Sequence, residues 1–181
     1  MFDLIYIFFR SGKNDKLVGR LVFALSSLIR DNEKSLDVFF NKISGQEIFL
    51  RHLDDVERDV DGKKDSRLVV KILTFLADVL RSPESRQNVE ISFDEKWCRH
   101  LLNDNLIRSD DLDHIDRFVH CLVNFEKLCR SEMSENGQLK LWLLKAKDIV
   151  RENQESESDF ERTANHIDEL VTLLNLTKSE L

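Results

Sequence analysis

The feature that most constrains the fold of this chain is a nine-residue block that occurs three times. The copies are VFALSSLIR at 22–30, LTFLADVLR at 73–81 and LVNFEKLCR at 122–130. Each copy has apolar residues at helical spacing and ends in arginine, and the arginines are 51 and 49 residues apart. Amphipathic helices that recur at a near-constant period predict structural repeats, which bury their apolar faces against one another.

The stretch that follows the first copy predicts the rest of one repeat. Residues 21–50 read as a helix, a polar turn, a short helix, a break at Ser44–Gly45 and a further helix. Phe39, Phe40 and Ile43 give the short helix an apolar anchor, and Gly45 is expected to allow the sharp turn. One face of the first helix is predicted from four residues: Leu21, Ala24, Leu25 and Leu28. The residues predicted to be buried between layers are Leu25, Leu28, Leu73, Leu76, Leu122 and Phe125.

The predicted fold class is all-α, an armadillo-like right-handed helical solenoid that is N-terminally truncated and has a helical C-terminal tail. The spacing is slightly longer than the ~40–47 residues of armadillo and HEAT repeats, and a polar loop at 54–65 can absorb the excess. We expect 14–156 to form the repeats within one continuous core. Residues 157–181 would form a C-terminal helix and tail, and 1–13 a poorly ordered segment or a remnant helix. A plain helical bundle, whose amphipathic helices could match by chance, is the alternative.

Several of these segments resemble a known family. FALSSLIRDN, followed by FF and SGQEIFL, resembles the armadillo-type nucleotide exchange factors of heat-shock protein 70 chaperones. FDEKWCRHLL at 93–102, FEKLCR at 125–130 and LKLWLLKAKDIVR at 139–151 are similar to its endoplasmic reticulum branch, the Sil-type cochaperones of BiP. The resemblance covers the chain from about Asn14 onward. The chain departs from the family pattern at Ser44–Gly45, where the family usually has a Gly-Gly pair. It also begins inside the family's repeat region.

The resemblance implies a cochaperone that promotes ADP release from BiP. Such a solenoid clasps one lobe of the BiP nucleotide-binding domain and favours an open ADP cleft; it needs no cofactor and acts as a monomer. The truncated chain is expected to bind BiP weakly and to accelerate ADP release only a little, and some apolar surface of its first helix should be exposed. An armadillo-like protein-binding adaptor without exchange activity is the alternative function.

The repeat register predicts where a partner would bind. In armadillo proteins the third helix of each repeat lines the concave face, and we assign residues 16–31, 66–82 and 111–131 to these helices. Polar positions of the first two helices give the predicted partner-binding residues: Arg20, Ser27, Arg30, Lys71, Asp78 and Arg81. The equivalent positions in the third helix are His120, Lys127 and Arg130. A solvated helix face without a partner would show the same polar residues.

The C-terminal end of the sequence carries a candidate retention signal and a candidate glycosylation site. Lys178-Ser179-Glu180-Leu181 differs at one position from the K-D-E-L retention signal and, with the resemblance, predicts the endoplasmic reticulum lumen. Asn175 begins an Asn-Leu-Thr glycosylation acceptor sequence. The N-terminal segment does not read as a signal peptide, because Asp3 replaces the usual positive charge and Leu4–Phe9 is too short. It is also far shorter than a membrane span.

Catalytic and nucleic-acid functions find little support in the sequence. The net charge of −7 is spread over both signs, and phosphate binding needs a basic face. The spacings of His100, His114 and His120 relative to the cysteines fit no zinc pattern, and no third group marks a Cys–His nucleophile. The acidic run Asp110–Asp113 predicts a helix start. We therefore expect no metal and no enzymatic activity.

The three cysteines leave one question open. Cys121 and Cys129 lie on one predicted helix about 12 Å apart along its axis, so they cannot bridge each other. A link from Cys98 to either of them is possible. All three fall at or beside apolar positions, which favours a role in core packing.

Overall fold

The computed structural model describes residues 15–29, 32–57, 66–81, 95–154 and 160–174. Within these ranges the chain forms α-helices and one short π-helix, and no strand, so the predicted all-α class is confirmed for them. The α-helices are α1 Asp15–Ile29, α2 Glu33–Asp37, α3 Gly45–Glu57, α4 Ser66–Arg81, α5 Glu95–Leu101, α6 Leu112–Glu135, α7 Gly137–Gln154 and α8 Glu161–Leu173. The π-helix, Val38–Lys42, directly follows α2.

The chain groups into two compact units, residues 1–96 and 97–181, where we had expected a single continuous core. The first unit contains α1 to α4, and the second contains almost all of α5 together with α6 to α8. None of the helices in the described ranges is both long enough and apolar enough to cross a membrane.

In the first unit α1 packs along α4. The buried stripe of α1 recurs at helical spacing and consists of Val18, Val22, Leu25 and Ile29. Helix α4 is buried over most of its circumference. Among its residues 67–81, only Arg67, Lys71 and Arg81 are exposed. Its aliphatic side chains Leu73 and Leu76 are buried as predicted, as are Leu122 and Phe125 in the second unit.

The face predicted to be buried on α1 is only partly correct. Leu25 is buried, but Leu28 is 49% exposed, Ala24 is exposed and Leu21 is half-buried. Helix α1 has aliphatic residues on two neighbouring stripes, and periodicity alone does not select which stripe meets the core. The exposed apolar surface expected on this helix is present, at Leu17, Phe23 and Leu28.

The break between the π-helix and α3 depends on two adjacent residues with different roles. Ser44 has a φ of 52°, so it, rather than the predicted Gly45, adopts the left-handed conformation. Gly45 is the first residue of α3 and is buried. A Cβ atom on Gly45 would lie less than 3.0 Å from the Phe39 ring, so glycine is needed here for space.

The Phe39 ring belongs to an aromatic cluster that joins three elements of the first unit. Phe39 and Phe40 on the π-helix, Phe49 on α3 and Phe75 on α4 have neighbouring ring centroids 5.0–5.8 Å apart. Most of these contacts are tilted or edge-on, the arrangement that aromatic rings favour. The predicted apolar anchor is therefore present and links the short helical segment to both α3 and α4.

In the second unit α6, α7 and α8 pack against one another. Asp111 caps α6, because its side chain accepts a hydrogen bond of 2.9 Å from the His114 N–H, which confirms the helix start predicted there. The Trp142 indole on α7 donates to the Ser109 carbonyl at 3.1 Å and fixes the loop before α6. Helix α8 lies within the predicted C-terminal segment and packs on α6 and α7.

A disulfide joins Cys98 on α5 to Cys129 on α6, with their Cα atoms 5.4 Å apart. The open question about the cysteines is thus answered, and the core-packing role predicted for these two was incomplete. Both are buried, but they also cross-link their helices. Cys121 is a buried thiol outside the disulfide, which is consistent with packing.

Candidate partner-binding surface

The predicted partner-binding residues of the first unit are carried by α1 and α4. Lys71 of α4 reaches Gly19 of α1, where a Cβ would lie at ordinary contact distance, 3.5 Å from Lys71 Nζ and 3.7 Å from Lys71 Cδ. The Lys71 stem therefore crosses α1 where that helix has no side chain. Arg20 is the next residue along α1, and both Arg20 and Lys71 are exposed. The structure thus places two of the predicted partner-binding residues, Arg20 and Lys71, on adjoining helices.

The other predicted residues of the first unit lie at different depths. Ser27 is exposed, and its hydroxyl donates to the Phe23 carbonyl at 3.1 Å within α1. Asp78 on α4 is half-buried, and Arg81 is exposed in the last turn of that helix. Arg30 lies outside the described residues, as do Asn175 and the terminal Lys178-Ser179-Glu180-Leu181.

The equivalent residues of the second unit differ in exposure and in the contacts that they make. Lys127 is exposed and His120 is half-buried on α6. Arg130 pairs with Glu126, a carboxylate with only 6% of its surface exposed. Because a buried carboxylate needs a charged or hydrogen-bonding partner, Arg130 has a structural role that was not predicted.

Arg20 of α1 and Lys71 and Arg81 of α4 are exposed cations. No described residue forms an ion pair with Arg20, Lys71 or Arg81, whereas Lys42 pairs with Asp37 and Arg51 with Glu47 elsewhere in the first unit. This side of the unit is therefore locally positive, although the chain has a net charge of −7. Exposed, unpaired cations favour the approach of a negatively charged partner.

Phe23 is the residue of this surface that the sequence analysis did not select. Its side chain is 74% exposed, the most of the large apolar residues described. It lies four residues from both Gly19 and Ser27, on the same side of α1. The signal was present in the sequence, because this spacing places Phe23 among the polar positions rather than among Val18, Val22 and Leu25.

Titratable groups of the second unit gather where α8 meets its neighbours. The pKa of His166 is lowered, first by burial and then by the positive charge of Arg162. The Lys147 ammonium, which donates a hydrogen bond to Asp168, lowers the pKa of that carboxyl, and Arg151 adds to the effect at 3.3 Å. These contacts join α7 to α8. In the described ranges, no group of three histidine, cysteine or acidic side chains is arranged to hold a metal ion.

The comparisons with known proteins identify no relative of this chain. No protein-family model, no curated protein and no solved structure matches the chain. The family resemblance seen in the sequence therefore stays a hypothesis.

Proposed function

We propose that this protein is an armadillo-like nucleotide exchange factor that promotes ADP release from the endoplasmic reticulum chaperone BiP. The observation that supports this most directly is the packing of α1 along α4. Helix α1 contains the first copy of the repeated block up to Ile29, and α4 contains the second copy. Equivalent helices of successive repeats lie side by side in a solenoid, so the contact is the one that a repeat architecture requires.

The surface chemistry supports binding as the mode of action. The α1–α4 side presents Arg20, Lys71 and an exposed aromatic ring on two helices that are anchored by a buried core. A rigid surface of this kind can select one conformation of a partner. If it binds the open-cleft state of BiP more tightly, the exchange factor and ADP weaken each other's binding by the same factor.

The disulfide supports the proposed compartment. Cys98–Cys129 joins two helices in the second unit, and structural disulfides persist mainly in oxidising environments such as the endoplasmic reticulum lumen. This observation is independent of the C-terminal KSEL sequence, and both favour the same location.

The proposal is tested with the BiP nucleotide-binding domain loaded with a fluorescent ADP. At concentrations of this chain that saturate the domain, we expect a small but measurable acceleration of ADP release in the presence of ATP. Lys71→Glu should raise the Kd for the domain by about tenfold or more, which corresponds to roughly 1.4 kcal/mol. Lys34→Glu, a charge reversal at an exposed residue of α2, is the matched control and should have little effect.

The outcomes separate the two candidate functions. Binding that is sensitive to Lys71→Glu but does not change the rate of ADP release would replace the exchange factor with a protein-binding adaptor. If Lys34→Glu weakens binding and Lys71→Glu does not, the contact surface is not the one formed by α1 and α4.

A further inference from the structure

We propose that Phe23 is the apolar anchor of a docking surface for an acidic protein segment. The surface, called here the Phe23 surface, consists of Arg20, Phe23, Ser27 and Lys71. The inference rests on the proposed function in using the same side of α1 and α4, but it names the chemistry of the occupant and a contact residue that the repeat register did not predict.

The position of Phe23 distinguishes it from the other exposed apolar residues of α1. Leu17 and Leu28 lie on one stripe, eleven residues apart, with the exposed Ala24 between them. Phe23 lies on the opposite side of Arg20 from that stripe, between the turns of Gly19 and Ser27. A ring that is 74% exposed and surrounded by polar positions is therefore separate from the apolar stripe.

The surroundings of Phe23 favour a negatively charged occupant. Arg20 is three residues before Phe23 on α1, and the Lys71 ammonium lies over Gly19, four residues before Phe23. Neither cation forms an ion pair with a described residue. Aromatic side chains and arginine are enriched at protein–protein interfaces, and the cations around the ring favour a partner of opposite charge.

Charge also excludes the two other occupants of such a surface. In a symmetric dimer built on the Phe23 surface the same positive patch would face itself, so the like charges of Arg20 and Lys71 would oppose the pairing of two copies. Binding of a lipid surface or a nucleic acid gains strength with each phosphate that a cation neutralises, and the Phe23 surface offers only the two cations Arg20 and Lys71. An acidic protein segment with an apolar side chain matches both the charge and the ring.

The test measures binding of the full chain to two probes. The first is the ADP-bound nucleotide-binding domain of BiP. The second is an immobilised peptide array in which glutamates flank a central leucine, with lysines replacing the glutamates in a control array. We expect Phe23→Ala to raise the Kd for the BiP domain and for the glutamate peptides by about tenfold or more. Leu28→Ala, a truncation of a 49% exposed residue on the same helix, should change either Kd by less than about twofold.

The melting temperature of each variant serves as the control for correct folding. Neither substitution should change it by more than a few degrees, because both side chains are exposed. Binding to glutamate peptides should also weaken with added salt.

If the chain binds no BiP but binds glutamate peptides through Phe23, the proposed function fails and the Phe23 surface stands. If BiP binds and Phe23→Ala changes neither Kd, the Phe23 surface is overturned. Preference for the lysine peptides, Phe23-dependent binding to phosphatidylserine vesicles without peptide binding, or binding to neither probe would also overturn it.

Discussion

Two glycines that each begin a helix have opposite requirements for space. Gly45 begins α3 against the Phe39 ring, which leaves no room for a Cβ atom. Gly137 begins α7, and a Cβ there would meet no atom within 4 Å. The two positions therefore separate a packing requirement of glycine from its conformational freedom.

Alanine at each position tests this difference. Gly45→Ala should lower the free energy of unfolding by about 1–3 kcal/mol, because the Phe39 ring must move within a packed aromatic cluster. Gly137→Ala, the control at the same helical position, should stay within about 0.5 kcal/mol of the original protein. Urea unfolding followed by far-ultraviolet circular dichroism measures both. Equal stability of the two variants would show that the cluster yields without cost.

At the residue scale the sequence predicts which residues form the core better than it predicts which face of a helix meets that core. Burial of Leu76 and Leu25 follows from helical periodicity, and the structure confirms it. The exposure of Leu28 does not follow, because α1 has two apolar stripes and the helix that covers one of them is distant in sequence. The strained conformation at Ser44 was assigned to its neighbour Gly45, since glycine is the usual residue at positive φ.

At the scale of elements, α8 is held on the second unit by both apolar and charged contacts. Ile167 and Leu170 are buried, while Asp168 pairs with Lys147 and Arg151 of α7. His166 lies among charged and titratable groups from α6 and from α8 itself. These neighbours are Asp116, His120, Arg162 and Glu169. The attachment of α8 should therefore respond to pH.

The lowered pKa of His166 gives the direction of that response. Because the folded state favours the neutral imidazole, the stabilisation is fully present above the ordinary pKa of 6.5 and is lost as the pH falls towards the folded value. Asp168 acts in a lower range: its stabilisation is present above its ordinary pKa of 3.8 and is lost as the pH falls through its lowered pKa. We expect His166→Gln to reduce the loss of stability between pH 7 and pH 5. Urea melts across that range would contradict the assignment if the slope is the same with and without His166.

For the whole molecule, the most consequential observation is that the chain forms two compact units and that one of them is covalently cross-linked. The disulfide joins residues 31 positions apart in the second unit. Both tryptophans of the chain, Trp97 and Trp142, belong to that unit and are buried. Tryptophan fluorescence therefore reports on the second unit, whereas circular dichroism reports on all helices.

Reduction of the disulfide should destabilise the second unit. A cross-link that closes a loop of this length is expected to contribute about 3–4 kcal/mol by limiting the unfolded chain. Dithiothreitol should shift the urea midpoint seen by tryptophan fluorescence to lower concentration. Cys121→Ser should keep this shift, and a Cys98→Ala, Cys129→Ala double variant should lose it. A shift that persists in the double variant would place the redox-sensitive group elsewhere.

At this scale the repeated block located the helices correctly, with α1, α4 and α6 close to the ranges predicted for them. It could not predict the division into two units, because a periodic sequence shows which helix faces are apolar and not how the helices group. The cysteine spacing excluded one pairing but left two, and only the approach of α5 to α6 selects between them.

The few exposed positions of α4 form a narrow polar stripe, which limits where this helix can accept substitutions during evolution. Most positions of that helix contact the core, so substitutions there are restrained by packing. Variation without loss of the fold is confined to the positions on the stripe, among them Arg67, Lys71 and Arg81. A lineage could therefore acquire a new partner through a few substitutions on one helix, while its scaffold stays the same.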